Sequence, residues 1–203
     1  MIENVNTSNK YKDYLNQNLI ILILVLVTVY SCSKPTELQQ DFNCNTINLG
    51  KSSVIQDFQK KFAVTIPDTW SKKMFYNEYQ TSLMAADSLK PLKESFILDI
   101  SLNNGDLKVD ETIKNTIIRN IISKEHLRIN KFKIGKFHSK PSVWLLAEGT
   151  RNEMPFHLFK LLSKRDANTY YQIETQIYGD SLVNERVCKA ISLIETLTDL
   201  NKK

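Results

Sequence analysis

The sequence predicts an α+β domain: a central antiparallel β-sheet flanked by helices, an α/β/α sandwich. Three observations lead there. Segments with strand character outnumber helical ones and follow one another across short polar turns, the pattern of antiparallel meander pairing. Two clear helices fall after the fourth strand and at the C-terminal end, where they can cover such a sheet. The strands also carry apolar residues on both faces, with Trp144 and Leu146 opposite Val143, Leu145 and Ala147. A sheet with one wet face would not want that pattern.

Taken in order, Lys51 to Lys61 reads as a short helix or a loop. Phe62, Val64 and Ile66 then alternate with Ala63 and Thr65 up to Pro67, a strand cut by its proline. Lys73 to Tyr79 and Thr81 to Ala86 read as a second and third strand. From Ser95 to Leu102, Phe96, Leu98, Ile100 and Leu102 share one face and Asp99 and Ser101 the other, before Asn103-Asn104-Gly105-Asp106 turns the chain. Asp110 is placed to cap a helix whose stripe is Ile113, Ile117 and Ile121, with Ile118 and Ile122 beside it. Strands follow at Arg128 to Phe137, Ser142 to Thr150, Pro155 to Lys164 and Thr169 to Tyr178. In the closing helix, Val183, Val187, Ile191, Ile194 and Leu197 make one apolar face.

The N-terminus carries an address. A polar stretch with Lys10 and Lys12 leads into the apolar run Leu19 to Val29, followed by Tyr30-Ser31-Cys32, the three-part layout of a secretory signal. As a helix, Leu19 to Tyr30 would span about 18 Å, against a hydrocarbon core of about 30 Å. Val29, Ser31 and Cys32 resemble the end of a bacterial lipoprotein signal, in which the cysteine thiol takes a diacylglycerol and becomes the new N-terminus. Bulky Tyr30 and acidic Glu3 and Asp13 depart from the usual form. The resemblance implies residues 1–31 as signal peptide, 32–50 as lipidated N-terminus and tether, and 51–203 as a single domain. It also implies a cell-envelope location, and Ser33 in place of aspartate leans toward the outer membrane, facing the periplasm.

Of the three cysteines, lipidation of Cys32 leaves Cys44 and Cys188. An oxidising compartment allows them to bond. Cys188 falls off the centre of the apolar helix face, placed to meet a strap such as Asp41 to Leu49. The bond would close a loop worth about 5 kcal/mol by chain entropy; the alternative is two separate thiols. The formal charge is +5, and removing residues 1–31 leaves it unchanged because two lysines and two acids go together. Clusters at Lys60-Lys61, Lys72-Lys73 and Lys131, Lys133, Lys136 are suited to anionic headgroups or to a solvated face. Interleaved acids argue against nucleic acid as a partner.

Phe62-Ala63-Val64-Thr65-Ile66-Pro67 followed by Trp70, then Ser95 to Ile100, the isoleucine helix, and Tyr170-Tyr171 ahead of a closing helix, resemble the Mog1/PsbP-like group. That resemblance implies an α/β/α sandwich and mostly non-enzymatic work: binding a small GTPase, supporting a photosynthetic complex, shielding apolar segments of secreted effectors. It carries no binding residue onto this chain.

Chemical motifs are sparse. His126, His138 and His157 have no metal-ligand spacing, and no GxSxG elbow is present. The chain has five glycines, none in a phosphate-cradling loop. Asp106, Asp110 and Glu111 are explained by a turn and a cap. No catalytic, cofactor or metal residue is assigned. Trp70 is expected to plug the sheet end, and Tyr76 and Tyr79 are the best candidates for an exposed contact surface. The expectation is a non-catalytic, lipid-anchored binding or assembly module with an envelope protein partner. The alternatives are a carrier or shield for a small apolar ligand or lipid, and an envelope enzyme whose carboxylates converge in space. The unreduced mass of the protein purified from its own membranes tests the address: the expected chain begins at acylated Cys32 and is two hydrogens light, whereas an unacylated chain starting at Met1 with free thiols would contradict it.

Overall fold

The computed structural model describes residues 34–45 and 47–200; Cys32 and the apolar run before it lie outside them. From Pro35 onward the chain forms one compact unit. Its elements are α1 (Glu37–Asp41), β1 (Ser52–Gln56), β2 (Phe62–Pro67), β3 (Ser71–Tyr76), β4 (Gln80–Ala86), β5 (Phe96–Asn104), α2 (Glu111–Ser123), β6 (Arg128–Phe137), β7 (Lys140–Arg151), β8 (Met154–Lys164), β9 (Thr169–Tyr178), α3 (Val183–Ile194) and β10 (Thr198–Asp199). Seven strands make an antiparallel sheet in the order β3-β4-β5-β9-β8-β7-β6, and β1-β2-β10 make a second, smaller one.

The β6–β7–β8 meander is set by two tight turns. His138 and Ser139, and again Asn152 and Glu153, all have positive φ. Two consecutive left-handed residues match the twist of the flanking strands, which fixes Phe137 opposite Lys140 and Arg151 opposite Met154. Because side chains alternate along a strand, Trp144, Phe159, Leu161, Ile173 and Ile100 enter one core with α3 and β2, while Val143, Leu145, Ala147, Phe156 and Leu158 enter a second with Ile113, Ile117 and Ile121 of α2. Both faces are covered, as the two-sided apolar pattern requires.

Two elements differ from the sequence reading. The segment read as helix or loop at Lys51 to Lys61 contains β1, paired along its length with β2. Its residues are mostly exposed, so no polarity alternation announces it, and its conformation comes from the ladder with β2. Phe62–Pro67 is a strand, but it belongs to the small sheet, where β10 pairs with its other edge. Alternation reports which side chains share a face, not which sheet the backbone joins.

The domain also begins earlier than the sequence pattern suggests. Thr36 caps α1 in a capping box with Gln39, and Leu38 is fully buried. Asp41 accepts from the Trp144 indole at 2.8 Å, Phe42 packs edge-on to Phe159, and Cys44 is bonded to Cys188 with the Cα atoms 5.2 Å apart. Residues 36–44 are therefore a docked strap. At the other end, Arg186 donates to the carbonyls of Lys93, Ser95, Tyr178, Gly179 and Ser181 at 2.5–3.1 Å, tying α3 to the ends of β5 and β9.

Asp57 holds the β1–β2 hairpin. Its buried carboxylate accepts from the backbone N–H of Gln59, Lys61 and Phe62 and from the Thr81 hydroxyl, at 2.6–2.9 Å. Asp57→Ala would orphan those donors, and the expected loss is about 2–4 kcal/mol in urea unfolding. Asp57→Asn, which keeps one acceptor oxygen, is expected to lose less; equal stability of the alanine variant and wild type would contradict this role.

Candidate functional site

The seven-stranded sheet has two edges, and they are treated differently. At β6 the ladder is broken by a bulge at Asn130, and the Glu37 carboxylate accepts the Lys136 N–H at 3.0 Å. Lys131 and Lys133 fold back over Phe42 and Trp144 toward Asp41. Bulges, lysines and covering side chains are the usual means of closing an edge.

Among the described residues β3 has neither a bulge nor a docked strap. The Asn77 N–H donates to the Gln80 carbonyl at 2.9 Å, making 77/80 a hydrogen-bonded pair. By alternation the ladder bonds belong to Phe75 and Lys73, and the N–H and C=O of Lys72, Met74 and Tyr76 point away from β4. Lysines guard the first half of the strand; Met74, Phe75 and Tyr76 form an exposed apolar second half.

An aromatic rim adjoins it. Asp57 fixes the hairpin turn so that Phe58 stacks on Tyr76 with ring centroids 4.4 Å apart and planes 4° from parallel. Phe58 is nonetheless 59% exposed and Tyr76 57%. Tyr79, 67% exposed, is held in a turn where the Asn77 side-chain oxygen accepts its N–H at 2.8 Å and Asn104 bonds both Tyr79 and Glu78. Two residues singled out in the sequence, Tyr76 and Tyr79, thus flank one edge. Phe58 was missed, because it lies in the segment read as helix or loop, and only the tertiary contact Thr81–Asp57 brings it there.

Two clefts lie elsewhere. One, of about 520 Å³, is lined by Trp70, Lys90, Glu94, Glu185, Arg186 and Lys189 among others. Trp70 is buried, edge-on to Phe96 at 5.1 Å. Burial holds the Arg186 guanidinium below its ordinary pKa, and its Nε has no partner among the described residues. The other, of about 480 Å³, is lined by His138, Lys140, Lys164, Arg165, Glu195 and Asp199 together with Tyr171. Burial and the adjoining Asp199 carboxylate, which accepts its hydroxyl, push the Tyr171 pKa up, and Arg165 Nε pairs with Asp199 at 3.0 Å.

The remaining chemistry-bearing residues are dispersed. His157 contacts Asp180 at 2.9 Å and His138 contacts Glu195 at 3.3 Å, while His126 is exposed. Asp110 caps α2 through the Ile113 N–H at 2.9 Å, and Asp106 pairs with Lys164 at 2.8 Å. Among the described residues no group of three or more His, Cys, Asp or Glu is placed to hold a metal ion. Asp99 and Glu174 are register partners on β5 and β9, with Lys160 at 2.7 Å from Glu174.

The architecture is an antiparallel α/β/α sandwich with one covered and one uncovered sheet edge. Its fold is that of the Mog1/PsbP-like domains. A point mutant of Mog1 superposes with a TM-score of 0.50 over 75% of this chain and 98% of that one, at 8% identity. Cyanobacterial PsbP from Synechocystis sp. PCC 6803 does so with 0.54 over 77% and 96%, at 5% identity. A structure from Bacteroides thetaiotaomicron matches 77% of this chain at 13% identity and a TM-score of 0.47; the chain spans half, 50%, of its length. No protein-family model matches the sequence, and no curated protein is similar to it.

Burial, then Glu174, raises the Asp99 pKa despite the Ser101 hydroxyl. A carboxyl whose folded pKa is raised stabilises the fold below its unfolded pKa, and that contribution is lost as pH rises through the folded value. Asp99→Asn is therefore expected to be more stable than wild type at neutral pH, with the difference closing as pH falls through the carboxylate range. Thermal unfolding at several pH values checks it, and a difference that grows toward acid would contradict it.

Proposed function

We propose that this chain is a lipid-anchored, non-catalytic binding or assembly module of the bacterial cell envelope. Acylated Cys32 holds it in the outer membrane facing the periplasm, and β3 receives an extended segment of an envelope protein. The observation that carries this reading is the uncovered β3 edge with its aromatic rim. Three outward N–H and C=O pairs can add a strand by main-chain hydrogen bonding, and Met74, Phe75, Tyr76, Phe58 and Tyr79 supply apolar contacts on either side. The disulfide between Cys44 and Cys188 supports an oxidising compartment.

The other two readings have less behind them. A carrier for an apolar ligand needs an apolar cavity of several hundred Å³, and both clefts are lined by charges of both signs. For an enzyme using converging carboxylates, such groups line both clefts, among them Glu94 and Glu185 in one and Glu195 and Asp199 in the other, but Glu195 is engaged by Thr36 and His138 and Asp199 by Tyr171 and Arg165.

The test uses a photocrosslinker at Tyr79 in cells, in wild type and Met74→Pro. Proline at position 74 removes one outward N–H and no ladder bond, the position in a sheet where proline is tolerated, so the expected stability cost is small. A specific envelope partner should crosslink through position 79 and be lost in Met74→Pro, while the melting midpoint falls by less than about 4 °C. Repeated crosslinking that recovers no specific partner, or a partner indifferent to the proline, would overturn the reading.

A further inference from the structure

We infer that the domain sits on its membrane in a fixed orientation, with the β6–β7 turn and the adjoining cleft against anionic lipid headgroups and β3 turned away. The inference rests on the lipid-anchor reading above. If Cys32 is acylated, only Ser33, Lys34 and Pro35 separate it from Thr36, at most about 14 Å of extended chain. Thr36 is not free to wander. Its hydroxyl donates to Glu195, it caps α1, and the next residue, Glu37, accepts the Lys136 N–H. Glu195 also contacts His138 at 3.3 Å. The chain therefore leaves the domain beside the turn at His138 and Ser139, and whatever surface surrounds that turn is held near the bilayer.

That surface carries the right charge. Lys136 and Lys140 flank the turn, both exposed, and neither ammonium group has an acidic partner among the described residues. Lys164 and Arg165 line the cleft together with Lys140, and Lys34 lies in the connecting peptide. The acids nearby are engaged: Glu195 by Thr36 and His138, Asp199 by Tyr171 and Arg165, Glu37 by the Lys136 backbone N–H and the Lys133 ammonium. Lys131 and Lys133, grouped with Lys136 in the sequence, fold inward onto Asp41 and Glu37. The lipid-facing set is thus Lys136 and Lys140 with the cleft behind them. Six strand spacings, about 29 Å, separate β6 from β3, which leaves the candidate binding edge clear of the membrane.

The test is lysine footprinting of the full chain, purified from its own membranes and reconstituted into vesicles, with a water-soluble acylating reagent. Vesicles rich in phosphatidylglycerol are compared with phosphatidylcholine vesicles, and the intact mass of the same sample reports acylation of Cys32. Two lysines at about 1 kcal/mol each favour the docked state about thirtyfold. Labelling of Lys136 and Lys140 is expected to fall about tenfold or more on the anionic vesicles and to recover at high salt, with Lys72 and Lys73 unchanged. An acylated chain whose Lys136 and Lys140 react equally on both vesicles overturns the orientation and leaves the anchor standing, as does protection of Lys72 and Lys73 instead. A chain of unmodified mass overturns the anchor and the orientation with it.

Discussion

The structure depends on a sheet that is apolar on both sides. Along β7, Trp144 faces one way and Val143, Leu145 and Ala147 the other, and all four are buried. Each face must be removed from water, and at about 25 cal/mol per Å² of apolar surface neither can be left bare without a cost comparable to the stability of a whole domain. That requirement places α2 on one side and α3 with β2 on the other. It also explains the docked strap. Leu38 and Phe42 complete the first core over Trp144 and Phe159, and the disulfide to α3 keeps them there.

Coverage brings buried polar groups, and these are met by single side chains that each serve several partners. Asp57 takes three backbone donors and a hydroxyl at the hairpin; Arg186 serves five carbonyls at the start of α3. Both stand where elements meet that no hydrogen-bond ladder joins, and an unmet buried donor or acceptor there costs more than an average bond gains. Asp57 has a second consequence, since by fixing the turn it also presents Phe58 to Tyr76. The stability of the hairpin and the shape of the candidate binding edge are one arrangement.

The two sheet edges divide the molecule. β6 is closed by a bulge, a strap and lysines, and the chain enters the domain beside it; β3 is left with outward backbone groups and an aromatic rim. An uncovered edge is an aggregation hazard unless it has a partner or a guard, and Lys72 and Lys73 guard only half of this one. The seven-stranded sheet accommodates such a division because its internal ladders stay intact whether or not a strand is added at its margin. Fold alone assigns no activity, so the functional reading stands on this edge and on the N-terminal address.

By itself the sequence determined the α+β class, the strands β5 to β9, both helices Glu111–Ser123 and Val183–Ile194, and the need to cover both faces, because those elements carry their periodicity in contiguous residues. It marked Tyr76 and Tyr79 as candidates because amphipathic aromatics stood in a poorly patterned strand, and it placed Cys44 and Cys188 within plausible reach. Only the tertiary structure decided that β2 leaves the main sheet, that an exposed segment with no alternation becomes β1, that residues 36–44 dock, and that Phe58 meets Tyr76 across the Asp57 turn. Those outcomes depend on contacts between residues far apart in the chain, through Thr81–Asp57, Thr65–Thr196 and Trp144–Asp41. A local pattern reports which way a side chain points; which surface it meets is set by the packing of the whole chain.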